Sequence, residues 1–295
     1  MEPRLETFLC VCQTMNFTRA AEQLNLTQPA VSQHIRFLEK QYGMPLFIHD
    51  GRRLRLTPAG KVLRSAVSVM RNDEAEVRRR MQTAEAPSQQ LFFGVTMTIG
   101  EYAVTQPLAA YCKRHPEKNI KVVFGNTKEL LELLEQGQLD FALVEGYYPA
   151  NQFDHMPYST EAFVPVCAAS HQFAREPRRL RDLLCERLIV REPGSGTRNI
   201  LERNLALQDL TISDFAHYIQ VGNMHTIIGL MCQDCGITFL YRIAVEKELA
   251  QGSCHQLHLQ DFSMEHDFDF IWVRNSIFSA EHRAICSELK ALASS

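Results

Sequence analysis

The first 40 residues contain three segments in which apolar residues recur every three or four positions, and this spacing predicts three short helices. The second helix is expected to begin at Thr18 and the third at Thr27, because a threonine hydroxyl caps first-turn amides well. Pro29 is tolerated in the first turn of the third helix, where no intrahelical donor is needed. The apolar stripe of the third helix consists of Val31, Ile35 and Leu38.

The opposite face of the third helix carries hydrogen-bonding groups instead of a second apolar stripe. Its side chains are Gln28, Pro29, Ser32, Gln33 and Arg36. Two short helices joined by a tight turn, the second with a polar face, are typical of a helix-turn-helix. Glutamine can bind adenine with two hydrogen bonds, and serine and arginine can contact bases or phosphates. A helical hairpin buried in a core is the alternative, but a polar face with few acidic groups favours contact with DNA.

A β-hairpin is predicted after these helices, because Asp50-Gly51 lies between two stretches of alternating apolar residues. Arg52, Arg53 and Arg55 are next to this turn. The hairpin is therefore expected to act as a basic wing that lies on phosphates or in the minor groove. A solvated hairpin without a ligand is the alternative.

A long helix is predicted from Thr57-Pro58 to about residue 84, followed by a short polar linker at residues 86–90. The apolar stripe of this helix consists of Val62, Ala66, Val67, Met70, Val77 and Met81. A helix of this length between two modules has no local packing partner. We therefore expect it to pair with the same helix of a second copy.

From residue 91 onward, apolar runs typical of strands alternate with helical segments, which predicts an α/β domain with parallel sheets covered on both faces. The predicted strands are 91–95, 120–124, 139–144, 188–190, 237–240 and 268–273. The predicted helices are 100–114, 126–136, 197–206, 224–233 and 279–293. Ligands of such folds bind at the carboxyl ends of strands, near helix N-termini.

Three strand-to-helix segments of this half are candidates for a ligand site. Their candidate binding residues are Thr96, Thr98, Gly194, Ser195, Gly196, Thr197, Asn223 and His225. Backbone donors, hydroxyl groups and the positive end of a helix favour a small anion. Simple helix capping is the alternative for each segment. No glycine-rich segment has the spacing of a dinucleotide site or a P-loop, so we expect no nucleotide cofactor.

Charge is distributed unevenly along the 295 residues, which carry a formal net charge of −3. Residues 1–80 contain 13 Lys and Arg against 8 Asp and Glu, whereas residues 81–295 contain 18 against 26. A mildly acidic chain appears unsuited to DNA when taken as a whole. A basic quarter joined to an acidic remainder is instead typical of a nucleic-acid module attached to another function.

Nine cysteines, with no secretory signal at the N-terminus, indicate reduced thiols in the cytoplasm instead of a disulfide framework. Cys232 and Cys235 form a lone C-x-x-C. Without a second close pair it does not fit a structural zinc site, so we expect no metal. Buried thiols are the simplest interpretation, and a redox pair is the alternative. We expect no enzymatic activity, because the chain has no nucleophile elbow, metal pattern or paired carboxylate motif.

The motifs of both halves are similar to those of the LysR-type transcriptional regulators. In the first half they are Phe17-Thr18-x-Ala20-Ala21-x-x-Leu24, Thr27-Gln28-Pro29-Ala30-Val31-Ser32 and Leu56-Thr57-x-Ala59-Gly60. In the second half they are TIGEY at 98–102, LDFALVEG at 139–146 and REPGSGTR at 191–198, which resemble one branch of the family often tied to sulfur or carbon assimilation. The sequence departs from the family pattern at His49 and, within that branch, at His225 and Asp234-Cys235.

The resemblance implies an overall α/β fold with three parts: an all-α winged helix-turn-helix at 1–60, a linker helix and hinge at 61–90, and an effector-binding domain at 91–295. The effector domain would have two lobes like the periplasmic solute-binding proteins, with the effector between them. Lobe I is expected at about 91–161 and 267–295, and lobe II at about 162–266.

The resemblance also implies the partners. The DNA contacts would be Thr27, Gln28, Pro29, Ser32, Gln33, Arg36, Arg52 and Arg53. The partners would be double-stranded operator DNA, a small effector that we expect to be anionic, and further copies of the chain in dimers or tetramers, with RNA polymerase as a further candidate. We expect no membrane contact, because the chain has no uncharged apolar run of about 18 residues. The alternative function is a thiol-based redox regulator that uses Cys232 and Cys235.

Overall fold

The computed structural model describes residues 1–51, 53–82 and 90–293. The predicted wing contact Arg52, the predicted end of the long helix at residues 83–84 and residues 86–89 of the predicted linker lie outside this part. The predicted helix-turn-helix and the wing are present in the first module. Its elements are α1 (Pro3–Thr14), α2 (Phe17–Gln23), α3 (Gln28–Tyr42), β1 (Phe47–Asp50) and β2 (Arg53–Leu56).

The N-terminal module is held together by the apolar faces of its three helices. Phe8, Val31 and Leu38 are fully buried in one cluster, as the helical spacing predicts. The Thr27 cap is confirmed, because its hydroxyl accepts a hydrogen bond from the Ala30 amide (3.3 Å). The predicted Thr18 cap is wrong. Asn16 caps α2 instead and accepts from the amides of residues 18 and 19, since asparagine caps at least as well as threonine.

The linker helix α4 (Pro58–Gln82) packs against both neighbouring parts of its own chain. Val67 is buried in the core of the N-terminal module. Further along, Asn72 Nδ2 donates to the Leu134 carbonyl (2.8 Å), and Asp73 accepts from Ser276 Oγ (2.6 Å). The helix therefore packs within its own chain, although its partners are distant in the sequence and are not the local ones whose absence favoured pairing with a second copy. The residues of the buried face are too dispersed and polar for a periodicity argument to detect.

An ionic cluster joins the linker helix to the second domain. Glu76, which is 2% exposed, accepts from Arg80 Nε (3.0 Å) and lies 3.5 Å from His282 Nε2. Arg79 donates to Asp140, and Asp140 in turn accepts from the Phe92 amide (2.7 Å). Burial opposes ionisation of Glu76, but His282 and Arg80 outweigh it and lower its pKa.

Glu76, Asp140 and His282 are also residue types that bind metals, and their ligand atoms lie within 4.8 Å of one another. The arginines already pair with both carboxylates, however, so the cluster is an ionic contact between two parts of the chain. A divalent cation would add further positive charge to a buried site that already contains two guanidinium groups.

The second domain is built on one mixed sheet of nine strands. Its strands are β3 (Gln90–Thr96), β4 (Asn119–Gly125), β5 (Phe141–Val144), β6 (Phe153–Ala168), β7 (Arg187–Val190), β8 (His217–Gln220), β9 (Ile237–Tyr241), β10 (Cys254–Gln256) and β11 (Met264–Val273). Its helices are α5 (Met97–Tyr102), α6 (Thr105–Arg114), α7 (Thr127–Glu135), α8 (Gly196–Ala206), α9 (Met224–Cys232), α10 (Glu246–Ala250) and α11 (Ser279–Ala293).

The strand order is β4-β3-β5-β11-β6-β9-β7-β8, and β10 pairs with β6. Two groups, β4-β3-β5 and β9-β7-β8, are parallel as expected, but they are joined by the long antiparallel pair β6 and β11. The expectation of parallel strands is therefore confirmed for these two groups, whereas β6 and β11 are antiparallel. Strand β6 was missed because Pro157 and Pro165 argue against a strand within a sheet, and because the first half of β6 is only partly buried.

Among the helices of the described residues, none combines the length and the apolar character that a membrane span requires.

The contact between the linker helix and the second domain makes a testable contribution to stability. We expect Asn72→Ala to lower the free energy of unfolding by about 1–3 kcal/mol, because it leaves the buried Leu134 carbonyl without its donor. Urea unfolding of the full chain measures this change. The control is Arg78→Ala on the exposed side of the same helix, with an expected change within about 0.5 kcal/mol. Equal effects of the two substitutions would contradict a stabilising contact at Asn72.

Candidate DNA-reading surface and effector site

The predicted DNA contacts of helix α3 lie on one exposed face. Thr27, Gln28, Pro29, Gln33 and Arg36 are exposed, and Ser32 is half-buried. Their face is opposite the buried stripe that anchors the helix in the module. Gln28 Nε2 donates to Ser32 Oγ (2.9 Å), so the two side chains stabilise each other's position at the start of the helix. The surface therefore presents amide, hydroxyl and guanidinium groups of the kinds that read base edges.

The wing is the antiparallel pair of β1 and β2 around the predicted Asp50-Gly51 turn. Gly51 has a φ of +61°, which is the left-handed conformation that glycine adopts readily. Arg53 and Arg55 are both exposed, and Arg55 lies 3.2 Å from Asp50 across the hairpin. The wing thus projects basic side chains from the same module as the polar face of α3.

Three strands of the second domain end at one point, where their carboxyl ends meet the starts of the following helices. Strand β3 ends at Thr96, β5 is followed by Glu145, and β7 is followed by the loop that leads to Gly196 at the start of α8. Thr127 at the start of α7 also reaches this point, because its hydroxyl donates to the Glu145 carbonyl (2.8 Å). The topology therefore brings together segments about 100 residues apart.

The carboxylate of Glu145 lies at the centre of this arrangement. Three hydroxyl groups donate to it: Thr96 to Oε2, Thr98 to Oε1 (3.3 Å) and Thr197 to Oε1 (3.1 Å). Glu145 is 1% exposed, and burial raises the pKa of its carboxyl despite the hydrogen bonds and the charge of Arg191. The three threonines, chosen from sequence as candidate effector contacts, thus surround an acidic group of the protein itself.

Further polar atoms are buried close to the same segments. Within the described part of the chain, Ser195 Oγ, Arg191 Nη1 and Tyr241 Oη have no hydrogen-bond partner. Arg191 binds Glu192 through its other nitrogens (2.8 and 2.9 Å). Burial, together with the negative charge of Glu145, raises the pKa of Tyr241 well above its usual value, so its hydroxyl stays protonated. Three buried donors are therefore available in the segments around the carboxylate, and leaving them unsatisfied is energetically costly.

The backbone around the carboxylate is packed closely because two glycines face each other. A Cβ added at Gly146, which has a φ of +90°, would lie 2.6 Å from Gly196 Cα. A Cβ added at Gly196 would lie 2.2 Å from the Glu145 carbonyl oxygen. The side chains of Glu145, Thr98 and Thr197 are buried, with exposures of 1%, 0% and 2%. The site is closed in this conformation.

The other predicted effector residues, Gly194, Asn223 and His225, do not donate hydrogen bonds to Glu145. Gly194 lies at the side, where its carbonyl accepts from the Lys128 amide (3.3 Å). Asn223 caps α9 by accepting from the Thr226 amide (2.9 Å), which matches the capping alternative, and His225 is exposed. The segment that contains Asn223 and His225 nevertheless lies beside the loop after β7. A Cβ added at Gly222 would be 3.7 Å from Glu192 Oε2 in that loop.

Sequence reasoning missed Glu145, although a signal was present. Glu145 directly follows the buried strand Phe141–Val144 and precedes a glycine. A charged residue at the end of a buried strand is a signal of a functional site. An anion site is expected to consist of hydrogen-bond donors, so a carboxylate was not expected among its residues.

The environment of Cys232 does not favour the alternative interpretation of Cys232 and Cys235 as a redox pair. Cys232 is half-buried at the end of α9, and burial raises the pKa of its thiol. A raised pKa lowers the fraction of thiolate, which is the reactive form. All nine cysteines are free thiols.

Replacement of the buried carboxylate tests these electrostatics. Because its folded-state pKa is raised above the usual 4.5, Glu145 makes the free energy of unfolding fall as the pH rises from 4.5 through that pKa. At pH 7 we expect Glu145→Gln to have a higher free energy of unfolding than the unsubstituted chain, and we expect the difference to shrink towards pH 4.5. Urea unfolding at several pH values measures both. The control, Glu117→Gln, replaces an exposed carboxylate and should change the free energy by less than about 0.5 kcal/mol. A pH-independent loss of stability in Glu145→Gln would contradict the argument.

Comparisons with known proteins cover both modules. Residues 3–61 match the model of the bacterial regulatory helix-turn-helix protein, lysR family, and residues 84–294 match the LysR substrate binding domain. The HTH-type transcriptional regulator CysL of Bacillus subtilis is 31% identical over 273 residues, which cover 90% of this chain and 89% of that protein. The RuBisCO operon transcriptional regulator of Acidithiobacillus ferrooxidans is 29% identical and covers 98% of this chain and 93% of its own length.

Solved structures share the fold at lower sequence identity. The OxyR C206 mutant of Corynebacterium glutamicum superimposes with a TM-score of 0.60 at 22% identity, over 98% of this chain and 90% of that one. The CcmR regulatory domain of Synechocystis, solved in complex with 2-PG, has a TM-score of 0.61 at 17% identity and covers 70% of this chain and 98% of that one. The second domain thus has the periplasmic-binding-protein-like fold of LysR effector domains. The chain belongs to the LysR family of helix-turn-helix transcriptional regulators and contains both the DNA-binding and the effector-binding domain of that family.

Proposed function

We propose that the exposed face of α3 reads operator DNA in the major groove and that the wing binds the flanking phosphates. Gln28, Ser32 and Gln33 supply base contacts, whereas Arg36 and Arg53 supply positive charge for the backbone. The exposure of these side chains opposite a buried anchoring stripe supports this assignment. Arg52 belongs to the same proposed set by its place in the wing sequence.

We further propose that the effector is a small oxyanion that binds at the hydroxyl groups around Glu145. The observation that carries this proposal is the group of three donating threonines and three unsatisfied donors, Ser195, Arg191 and Tyr241. These donors suit a carboxylate or a phosphate, and the carboxylate of Glu145 occupies the threonine hydroxyls in the ligand-free chain. An anionic effector therefore competes with Glu145, and it binds when this carboxyl is protonated or turned away.

The closed contact between Gly146 and Gly196 supports the division of the effector domain into two lobes. Strands β6 and β11 cross from one group of parallel strands to the other, near the proposed boundaries at residues 161 and 267. Opening at this contact would admit the effector. If the open and closed forms bind the effector with different affinities, effector binding shifts the populations of the two forms.

Dimers through the linker helix are proposed on a separate observation. Val62, Met70, Val77 and Met81 are 72%, 59%, 38% and 71% exposed on one face of α4. Pairing with the same helix of a second copy would bury this stripe, and two dimers would form the expected tetramer.

The operator-reading role and the free cysteines support a cytoplasmic location, where RNA polymerase is a further candidate partner.

The base-reading role of Gln28 is tested by substitution. We expect Gln28→Ala to reduce discrimination at one base-pair position by about 1–3 kcal/mol, because the bidentate contact to one base is lost. A binding-site selection with randomised DNA, followed by titration of single-base variants at fixed salt, measures the change. Gln41→Ala, an exposed glutamine at the other end of the same helix, is the control and should leave every position unchanged. Unchanged discrimination in Gln28→Ala would exclude the proposed contact.

The effector site is tested with a thermal-shift screen of small carboxylates and phosphorylated carboxylates against the full chain. We expect any stabilising compound to bind roughly tenfold or more weakly to Thr98→Ala and Ser195→Ala, because each loses one hydroxyl donor to a charged group. The same compound should bind more tightly to Glu145→Gln, in which the competing charge is absent. Ser287→Ala, which removes an exposed hydroxyl on α11, is the control. A stabilising anion whose affinity is unaffected by all three site substitutions would contradict this location.

A further inference from the structure

A cavity that is partly open to solvent lies away from the proposed effector site, where three parts of the molecule meet. It has a volume of about 680 Å³, which is within the usual range of small-molecule sites. Helix α1 and strand β2 of the N-terminal module form one wall, the linker helix α4 forms the second, and the effector domain forms the third. A molecule in this cavity would contact the DNA-binding module and the effector domain at the same time.

The cavity is strongly basic. Arg55, Lys61, Arg64 and Arg71 line it, whereas Glu135 is the one acidic residue among the lining residues that the structure describes. Arg71 donates through Nε and Nη2 to the backbone carbonyl of Glu135 (3.1 and 2.8 Å), at the C-terminus of α7. Burial raises the pKa of the Glu135 carboxyl, although Arg71 and Arg64 oppose this effect. The excess of positive charge therefore favours an anion.

The basic groups are positioned by contacts that cross the cavity. With its side-chain amide oriented to satisfy both neighbours, Gln152 of the effector domain accepts from Arg64 Nη2 (2.8 Å) and donates to Glu135 Oε1 (2.9 Å). Arg64 is thereby held against the effector domain, while Arg55 extends from the wing strand β2 on the other side. An oxyanion between them would have guanidinium donors from two modules.

The rest of the lining is largely apolar. Leu9, Leu54, Phe153 and Val273 contribute hydrocarbon surface from all sides of the cavity. A site of this composition suits a molecule that has an apolar body and a charged head, because burial of the body adds to the charge-assisted hydrogen bonds of the head. Inorganic anions alone would leave this surface uncovered.

The cavity is also distinct from the surface proposed for dimer formation. At 100° per residue, the lining residues of α4, from Lys61 to Arg71, are centred on the side of the helix roughly opposite Val62, Met70, Val77 and Met81. Pairing of two linker helices through the exposed stripe would therefore leave the cavity accessible.

We propose that this junction cavity is a second ligand site, which binds a small metabolite with an apolar body and a carboxylate or phosphate group. Because the ligand contacts both the winged module and the effector domain, it stabilises one relative orientation of the two. Its binding is then coupled to DNA binding wherever the DNA-bound form requires a different orientation.

The proposal is tested with phenyl phosphate, which combines an aromatic ring with a phosphate, titrated into the full chain by calorimetry. We expect saturable binding that is tighter than that of phenol or inorganic phosphate alone. Arg64→Gln should weaken it about tenfold or more through the loss of a charge-assisted hydrogen bond. Lys61→Gln, at an exposed position that can be replaced without affecting the core, should also weaken it. The control Arg114→Gln removes an exposed arginine outside the cavity and should leave the affinity unchanged.

Three results would overturn the proposal. The first is the absence of saturable binding at millimolar phenyl phosphate, which would show that the cavity is only space between packed parts. The second is equal weakening by Arg64→Gln and Arg114→Gln, which would show non-specific attraction to positive charge. The third is binding that is unaffected by Arg64→Gln and Lys61→Gln but lost in Ser195→Ala, which would place the ligand at the effector site instead.

Discussion

A buried carboxylate that must be solvated by the protein itself is the constraint around which the effector domain is arranged. Glu145 has almost no contact with water, so its negative charge depends on hydroxyl donors from Thr96, Thr98 and Thr197. These donors come from segments at the ends of different strands. They can all reach the carboxylate of Glu145 only when the sheet is assembled and the site is closed. The hydrogen bonds to this carboxyl group connect the segments, whereas its burial disfavours the charged form and raises its pKa.

The same short strand also connects the proposed effector site to the linker helix. Strand β5 has four residues, with Asp140 just before it and Glu145 just after it. Asp140 pairs with Arg79 of α4, whereas Glu145 accepts hydrogen bonds from the three threonine hydroxyls. Both ends of the strand therefore carry buried acidic groups whose partners belong to other segments. The linker helix in turn packs on the core of the DNA-binding module through Val67. Packed, hydrogen-bonded elements thus lead from the Glu145 site to the module that contains the exposed polar face of α3.

Sequence reasoning succeeded wherever the relevant interactions are local. The Thr27 cap, the Val31–Ile35–Leu38 stripe and the Asp50-Gly51 turn each depend on residues within about one turn of chain, so spacing alone predicts them. It failed at β6, where two prolines occur in a strand that the partners β11 and β9 hold in place. It also failed at the linker helix, whose buried face is formed by polar side chains such as Asn72 and Glu76. Periodicity cannot identify such a face, because its burial depends on partners 60 or more residues away.

By itself, the amino-acid sequence determined the two functional parts of this protein: a basic helix-turn-helix with a polar reading face, and an acidic α/β domain with hydroxyl-rich strand ends. It did so because charge, capping and helical periodicity are properties of neighbouring residues. Only the tertiary structure decided what those strand ends surround, since the approach of Thr96, Thr197 and Glu145 depends on strand order. It likewise decided that Arg55, Arg64 and Glu135 share one cavity, because each belongs to a different element and only the packing of the linker helix brings them together.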